Sequence, residues 1–294
     1  MEKVIVLTGP TAVGKSKIAL KIAQIFNFDI INGDAYQIYK YMDIGTAKPT
    51  IEERQKVNHL LFDFLLPTEP FSIFEYQKIV RNEITKQIES NKIPFIVGGS
   101  GLYINSVIYD YQFINEPRMN EYDDVSTDEL YSKLKSIDPE TVVDPNNRKR
   151  LERALEIKLN NNSNVNTKNK NVKVYDSLVF FLYDEREILY ERINKRVDQM
   201  ITDGLVDEVK KLYPNHLGKQ AAAAIGYKEI ISYLNGDLSL DEAISLIKQH
   251  TRNYAKRQIT WFRHQTDAFW INVNCKTVDE IVLEISNYIE NFKH

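Results

Sequence analysis

Residues 9–16 read GPTAVGKS, a G-x-x-x-x-G-K-[ST] pattern set between the apolar run Val4-Ile5-Val6-Leu7 and a segment with helical spacing at Ile18, Ala19, Ile22, Ala23, Ile25 and Phe26. That pattern between a strand and a helix is a phosphate loop. Successive backbone N–H groups of such a loop cradle an anion, and the helix behind it adds roughly half a positive charge at its N-terminus. Gly9, Pro10, Thr11, Ala12, Val13, Gly14, Lys15 and Ser16 are therefore the expected phosphate-binding residues. Lys15 supplies a mobile cation and the Ser16 hydroxyl a ligand for Mg2+. Which phosphate compound sits there is left open by the loop itself.

The segments that follow repeat the same grammar. Phe28 to Asn32 is a short apolar strand that delivers Gly33 and Asp34 to its C-terminal end, and Ile93 to Val97 is another, turned by Gly98-Gly99-Ser100-Gly101 into a helix. Strand-glycine-helix units in succession indicate a parallel sheet with crossover helices. Further strands are expected at Leu60–Leu66, Leu178–Leu182 and, closing the sheet edge, Ala268–Val273. Thr50 with Glu53, Ser72 with Glu75, Ser126 with Glu129, Ser239 with Glu242 and Thr277 with Glu280 have the spacing of capping boxes, and each marks a helix start. Asp144-Pro145 is a further expected start, and residues 160–171 read as a mobile, exposed loop. The expected fold class is α/β, a P-loop NTPase-like parallel sheet core with a helical insertion and a largely helical C-terminal part. The expected division is 1–111 for the first part of the core, 112–143 for the insertion, and 144–294 for the rest of the core with its C-terminal helices.

Composition removes several function classes. With 43% hydrophobic and 27% charged residues in 294, the chain can build an ordinary globular core. Its single cysteine, Cys275, rules out an intramolecular disulfide and a cysteine-based metal site. The N-terminal apolar run is too short for a signal peptide and no later run reaches the length of a membrane span, so a cytoplasmic monomer with no membrane partner is expected. A net charge of −3 argues against a protein that coats nucleic acid over its whole surface, while leaving room for a local basic one. No H-E-x-x-H pattern, Cys/His cluster or G-x-S-x-G elbow is present.

The strand ends of an open parallel sheet form its ligand crevice, so Asp34 is expected to face the phosphate loop. An ionised carboxylate there can take a proton from an incoming nucleophile, or it can cap a helix or hold a metal through water. Ser100 either meets a ligand or simply sits in a turn that needs glycine. Between Ala243 and Thr266 there is no acidic residue, and Lys248, Arg252, Lys256 and Arg263 fall on one helical stripe, with Arg257 nearby. An unpaired stripe of like charge suggests an anionic partner; pairing with Glu187, Glu191 or Glu208 is the alternative. Tyr254, Trp261 and Phe262 interleave with these charges and are expected to be mostly core.

Over nearly its whole length the chain resembles the tRNA dimethylallyltransferases. The matching stretches are GPTAVGKS at Gly9, GDAYQIYKYMDIGTAKP at Gly33, GGSGLYI at Gly98, DPNNRKRLERALE at Asp144, RINKRVDQM at Arg192, GLVDEVKKL at Gly204, AIGYKE at Ala224 and TRNYAKRQITWFR at Thr251. The resemblance implies that a tRNA anticodon stem-loop is bound, that the adenosine 3′ of the anticodon is flipped into a channel, and that its N6 attacks dimethylallyl diphosphate. It implies that the phosphate loop holds diphosphate rather than ATP, with Lys15 and the Mg2+ at Ser16 neutralising the leaving group. Asp34 takes the position of the base, while Asp34, Ala35, Tyr36, Gln37 and Ser100 touch the flipped nucleotide. The insertion grips the anticodon loop, with a contact at Arg118, and the basic stripe with Arg252 and Lys256 binds tRNA. The chain departs from the family pattern at Ala35, at Ser100 and at Ala223, where serine, threonine and Gln or Arg are frequent. The competing readings are a P-loop nucleoside or nucleotide kinase using ATP, and a nucleotide-dependent RNA-binding protein.

Overall fold

In the computed structural model the described residues are 1–113, 122, 124–159 and 172–293. The first strand, β1 (Lys3–Thr8), is apolar from Val4 to Leu7 and all four of those side chains are buried. Burial of each is worth about 1.5–3 kcal/mol, which is why this run stands inside the sheet and not at its edge. It is followed by α1 (Lys15–Phe26), β2 (Ile30–Asn32), α2 (Ile51–Lys56), β3 (His59–Leu60), α3 (Ile73–Glu89), β4 (Phe95–Val97) and α4 (Gly101–Ile108). Next come α5 (Thr127–Ile137), α6 (Arg148–Leu159), β5 (Asp176–Tyr183), α7 (Arg186–Thr202), α8 (Leu205–Leu212), α9 (Lys219–Ala222) and α10 (Tyr227–Leu234). The chain ends with α11 (Leu240–Gln265), β6 (Phe269–Asn272) and α12 (Val278–Lys293).

The six strands form one parallel sheet in the order β3-β2-β4-β1-β5-β6. Alternation along β1 and β5 sends Ile5, Leu7, Phe180 and Leu182 into a core with Ile18 and Ile22 of α1 and Ile285 and Ile289 of α12. The intervening Phe181 packs its ring 5.0 Å from Phe262 of α11 and 4.3 Å from Trp270 of β6. Phe262 is core as expected, whereas Tyr254 and Trp261 are only half-buried.

All five expected capping boxes form, at Thr50, Ser72, Ser126, Ser239 and Thr277. The strand expected over residues 60–66 shrinks to His59–Leu60. Leu61 and Asp63 adopt positive φ angles of 63° and 51°, which break the extended run. The chain then returns beside Ile38 and Lys40, where Phe64 N donates to Ile38 O and Lys40 N to Leu65 O.

The described residues divide into two compact units, Met1–Tyr109 with Lys173–His294, and Asp110–Val172. The second unit therefore extends beyond the expected insertion of 112–143 and takes α6 from the core. The reason is packing: Leu151 and Leu155 of α6 join Leu130 and Leu134 of α5 in a small core of their own, with Tyr122. The helix begins at Arg148 and not at Pro145, because the Asp144 carboxylate accepts from Asn146 N and makes a turn. Its basic residues are partly spent within the unit, Arg148 on Val125 O and Glu152, and Arg153 on Glu156. Arg118 and the stretch 160–171 lie outside the described residues.

Candidate active site

The phosphate loop leaves β1 at the centre of the sheet. Gly14 has φ 100°, a left-handed value, and caps α1 with no side chain on its first N–H groups. No acidic residue stands in the first turn of α1 or of α4. By contrast α2, α3, α5 and α11 place a carboxylate on their own N-terminal N–H groups. The first N–H groups of α1 and α4 thus carry no side-chain cap.

The start of α1 and, from the turn ahead of α4, Gly98 and Gly99 border one cleft of about 950 Å³. Thr11, Ala12, Gly14, Lys15 and Ser16 line it on the donor side, and Asp34, Tyr36 and Gln37 face it from the end of β2. Gly9 and Pro10 are buried beneath, and the Val13 side chain belongs to the core, so these three present no side chain to the cleft. Lys15 Nζ donates to Gly9 O and Pro10 O, both at 2.8 Å. Burial and then the charge of Arg196 hold its pKa down to about 7, against the opposite pull of Asp34.

Asp34 is held by its neighbours. Its N–H donates to Asn32 Oδ1 at 2.9 Å, and its Oδ1 accepts from Tyr36 N at 2.9 Å. Asn32 itself is fully buried, with its carbonyl accepting from the Tyr76 hydroxyl at 2.8 Å. Burial raises the Asp34 pKa; the hydrogen bonds and the cations Lys15 and Arg196 oppose it without overcoming it. The carboxylate is thus more basic than an exposed one, and it lines the same cleft as the phosphate loop.

Other residues named from the sequence have different surroundings. Ser100 is buried, its Oγ accepts from Ala35 N at 3.2 Å, and it bonds Tyr254, so it joins the loop after β2 to α11. Gln37 spends its amide N–H groups on Thr46 O and Ala47 O. The basic stripe is not uniformly unpaired: Lys248 pairs with Asp198 at 2.5 Å, and Arg252 bonds Asn194 Oδ1 at 2.7 Å with its guanidinium over Tyr190. Lys256 is exposed and borders a shallow groove of 710 Å³ with Arg257, Trp261 and His264.

Three participants escaped the sequence reading. Arg196, half-buried on α7, faces Asp34 and Lys15, and burial lowers its pKa. Arg192, one turn before it, lines the same cleft and pairs with the buried Asp184 at 2.8 Å. The i, i+4 spacing of the two arginines on an amphipathic helix was the available signal. Glu208 of α8 accepts from the N–H groups of Asp43, Ile44 and Gly45 at 2.9, 2.8 and 3.0 Å, and from the Tyr227 hydroxyl, and so pins the loop that follows Asp34.

A phosphate loop and a buried carboxylate lining one cleft of a parallel α/β sheet define a protein of the P-loop class. A model of the family described as IPP transferase matches residues 37–265. The chain is 48% identical to the tRNA dimethylallyltransferase of Anoxybacillus flavithermus, over 100% of this chain and 98% of that protein. It is 42% identical to the tRNA dimethylallyltransferase of Staphylococcus saprophyticus, over 98% and 96%. The crystal structure of a tRNA delta(2)-isopentenylpyrophosphate transferase from Staphylococcus epidermidis matches with a TM-score of 0.77 at 38% identity, covering 99% of each chain. Crystallographic snapshots of a eukaryotic dimethylallyltransferase acting on tRNA match at 0.83 and 27%, covering 99% of this chain and 80% of that one. The chain belongs to the tRNA dimethylallyltransferase family, and it is a prenyltransferase.

Proposed function

We propose that this enzyme transfers the dimethylallyl group from dimethylallyl diphosphate to N6 of the adenosine 3′ of the anticodon in tRNA, releasing diphosphate. The observation that carries the reading is Asp34, a carboxylate made more basic by burial, lining the same cleft as Lys15 and Ser16 of the phosphate loop. The N6 lone pair forms the new bond to the allylic carbon while the bond from that carbon to the diphosphate oxygen breaks. Asp34 accepts the proton that N6 loses, a role worth roughly 10² to 10⁴ in rate. Lys15, Arg196 and the free N–H groups of α1 take up the charge that develops on the leaving diphosphate.

A hydroxyl at Ser16 and one carboxylate across the cleft suit Mg2+, which keeps several waters and binds through few protein oxygens together with phosphate. Among the described residues no three His, Cys, Asp or Glu side chains converge, so a site made by protein alone is not the arrangement here. When bound, the ion supplies charge neutralisation at the diphosphate.

Tyr36, Gln37 and the Ser100 turn form the acceptor side, and Lys256 with Arg257 offers phosphate contacts on the face of α11. The insertion, with Arg118, is assigned to the anticodon loop. Work on tRNA supports action in the cytoplasm, and we assign a monomer. No helix among the described residues is long and apolar enough to cross a membrane.

The test supplies radiolabelled dimethylallyl diphosphate and unmodified bulk tRNA with Mg2+, beside γ-labelled ATP with the same acceptor. Label entering tRNA from the isoprenoid donor alone is the expected result. Phosphoryl transfer without prenyl transfer would overturn it in favour of a kinase.

A further inference from the structure

Three side chains on one stripe of α11 meet three consecutive residues of the turn that opens α4. Tyr254 bonds Ser100, Gln258 Nε2 donates to Gly99 O at 2.9 Å, and the Trp261 ring lies where a Cβ on Gly101 would come within 2.2 Å of Cδ1. Their spacing of four and three residues keeps them on one face of the helix. Gln258 reaches further than the other two. Its Oε1 accepts the backbone N–H of Thr11 at 3.0 Å, so a single amide ties the phosphate loop to the turn that carries Ser100.

The chemistry of that bridge is restrictive. A main-chain N–H needs an acceptor and a main-chain carbonyl needs a donor, and an amide offers both, in either protonation state of its surroundings, from two atoms on one carbon. The same requirement fixes which way the amide points. A carboxylate could not donate to Gly99, a thioether could serve neither partner, and asparagine is one methylene shorter. A Cβ at residue 99 would lie 2.3 Å from Nε2, so the glycine is what admits the amide. The side chain is 5% exposed, and both of its polar atoms are spent on backbone groups.

We propose that Gln258 is a positioning residue for prenyl transfer, an inference that rests on the function proposed above. By holding the Thr11 segment and the Gly99 turn at fixed separation, it sets the distance between the donor's allylic carbon and the acceptor amine. Reacting atoms must approach to about 3–3.5 Å, and a displacement of about 1 Å can cost about a hundredfold in rate. Gln258 borders the cleft, but it is almost wholly buried and both of its polar atoms are held by backbone groups, so it acts through the two loops.

The experiment compares the full-length enzyme with Gln258→Met, close in length and volume but unable to make either bond, in steady-state and single-turnover transfer to tRNA. The expected result is a kcat lower by about tenfold to a hundredfold, with KM for tRNA and for dimethylallyl diphosphate within about twofold and a thermal midpoint close to that of the unsubstituted enzyme. Should Gln258→Met fail to fold, Gln258→Asn keeps an amide that reaches only one partner and is expected to show the same split. An unchanged kcat, or a loss confined to KM or to the thermal midpoint, overturns the positioning role. Absence of transfer by the unsubstituted enzyme refutes the proposed function instead, and the parallel reaction reveals which of the two has failed.

Discussion

The phosphate loop and the Ser100 turn both leave neighbouring central strands, and both open helices whose first N–H groups are free, yet they are built in different ways. The loop carries its anion-holding donors and its cation within residues 9–16, with only the Thr11 N–H given over to the distant Gln258. The turn is finished by a helix 159 residues further along, which supplies Gln258 and its neighbours. Charge can be recognised by a short contiguous segment, whereas a reacting pair of atoms has to be aimed, and aiming draws on distant parts of the chain.

The largest test of this contrast is Lys15→Ala, which removes the loop's own cation and is expected to lower transfer at least a hundredfold, measured as labelled tRNA. Lys15 also predicts a pH effect. With its pKa held down to about 7 in the free enzyme, it is largely neutral at higher pH, and an incoming anion must draw a proton back onto it. Diphosphate affinity therefore weakens as pH rises above 7, by up to about tenfold per unit, and Lys15→Arg flattens that dependence in a calorimetric titration.

Next in size is Asp34→Ala, expected to lower the transfer rate at least tenfold and leave tRNA affinity nearly intact. A protonated carboxyl cannot serve as a base, and burial raises the Asp34 pKa. The rate should thus fall with decreasing pH at a point above the ordinary carboxylate range, and Asp34→Asn should abolish that limb of the profile. A rate independent of pH on the acid side would remove Asp34 from the proton transfer.

Glu208→Ala tests the scaffold of the acceptor side. Three backbone donors and the Tyr227 hydroxyl lose their acceptor, with an expected cost of about 2 kcal/mol in a denaturant melt. The smallest effect is at the surface of α11. Lys256→Ala should weaken tRNA binding and reduce its salt slope by about one, while Lys248→Ala, already paired with Asp198, should leave the slope unchanged. Equal slopes for both would take Lys256 out of the interface.

Much of this architecture was legible from local pattern. The phosphate loop, the strand runs and the five capping boxes depend on residues within a few positions of one another, so the sequence carries them directly. Gln258, Arg196 and Glu208 were not legible as site residues, because each acts on a segment brought near only by the fold. The basic stripe failed in part for the same reason: its partner Asp198 sits on α7, and the candidates named from sequence were three glutamates. The strand expected at 60–66 failed because an apolar run does not reveal the left-handed turns at Leu61 and Asp63.

Tyr109 and Lys173, the residues at which the chain departs from the sheet-bearing unit and rejoins it, form an antiparallel bridge, and Val174 N donates to Ile108 O at 2.9 Å. The core therefore knots its own exit and entrance together. Because the entropy of closing a loop grows only slowly with its length, whatever is strung between those two residues can lengthen, contract or be exchanged at little cost to the sheet. The bridge makes this point of the chain a graft junction, where the second unit can be reworked while the sheet-bearing unit is inherited unchanged.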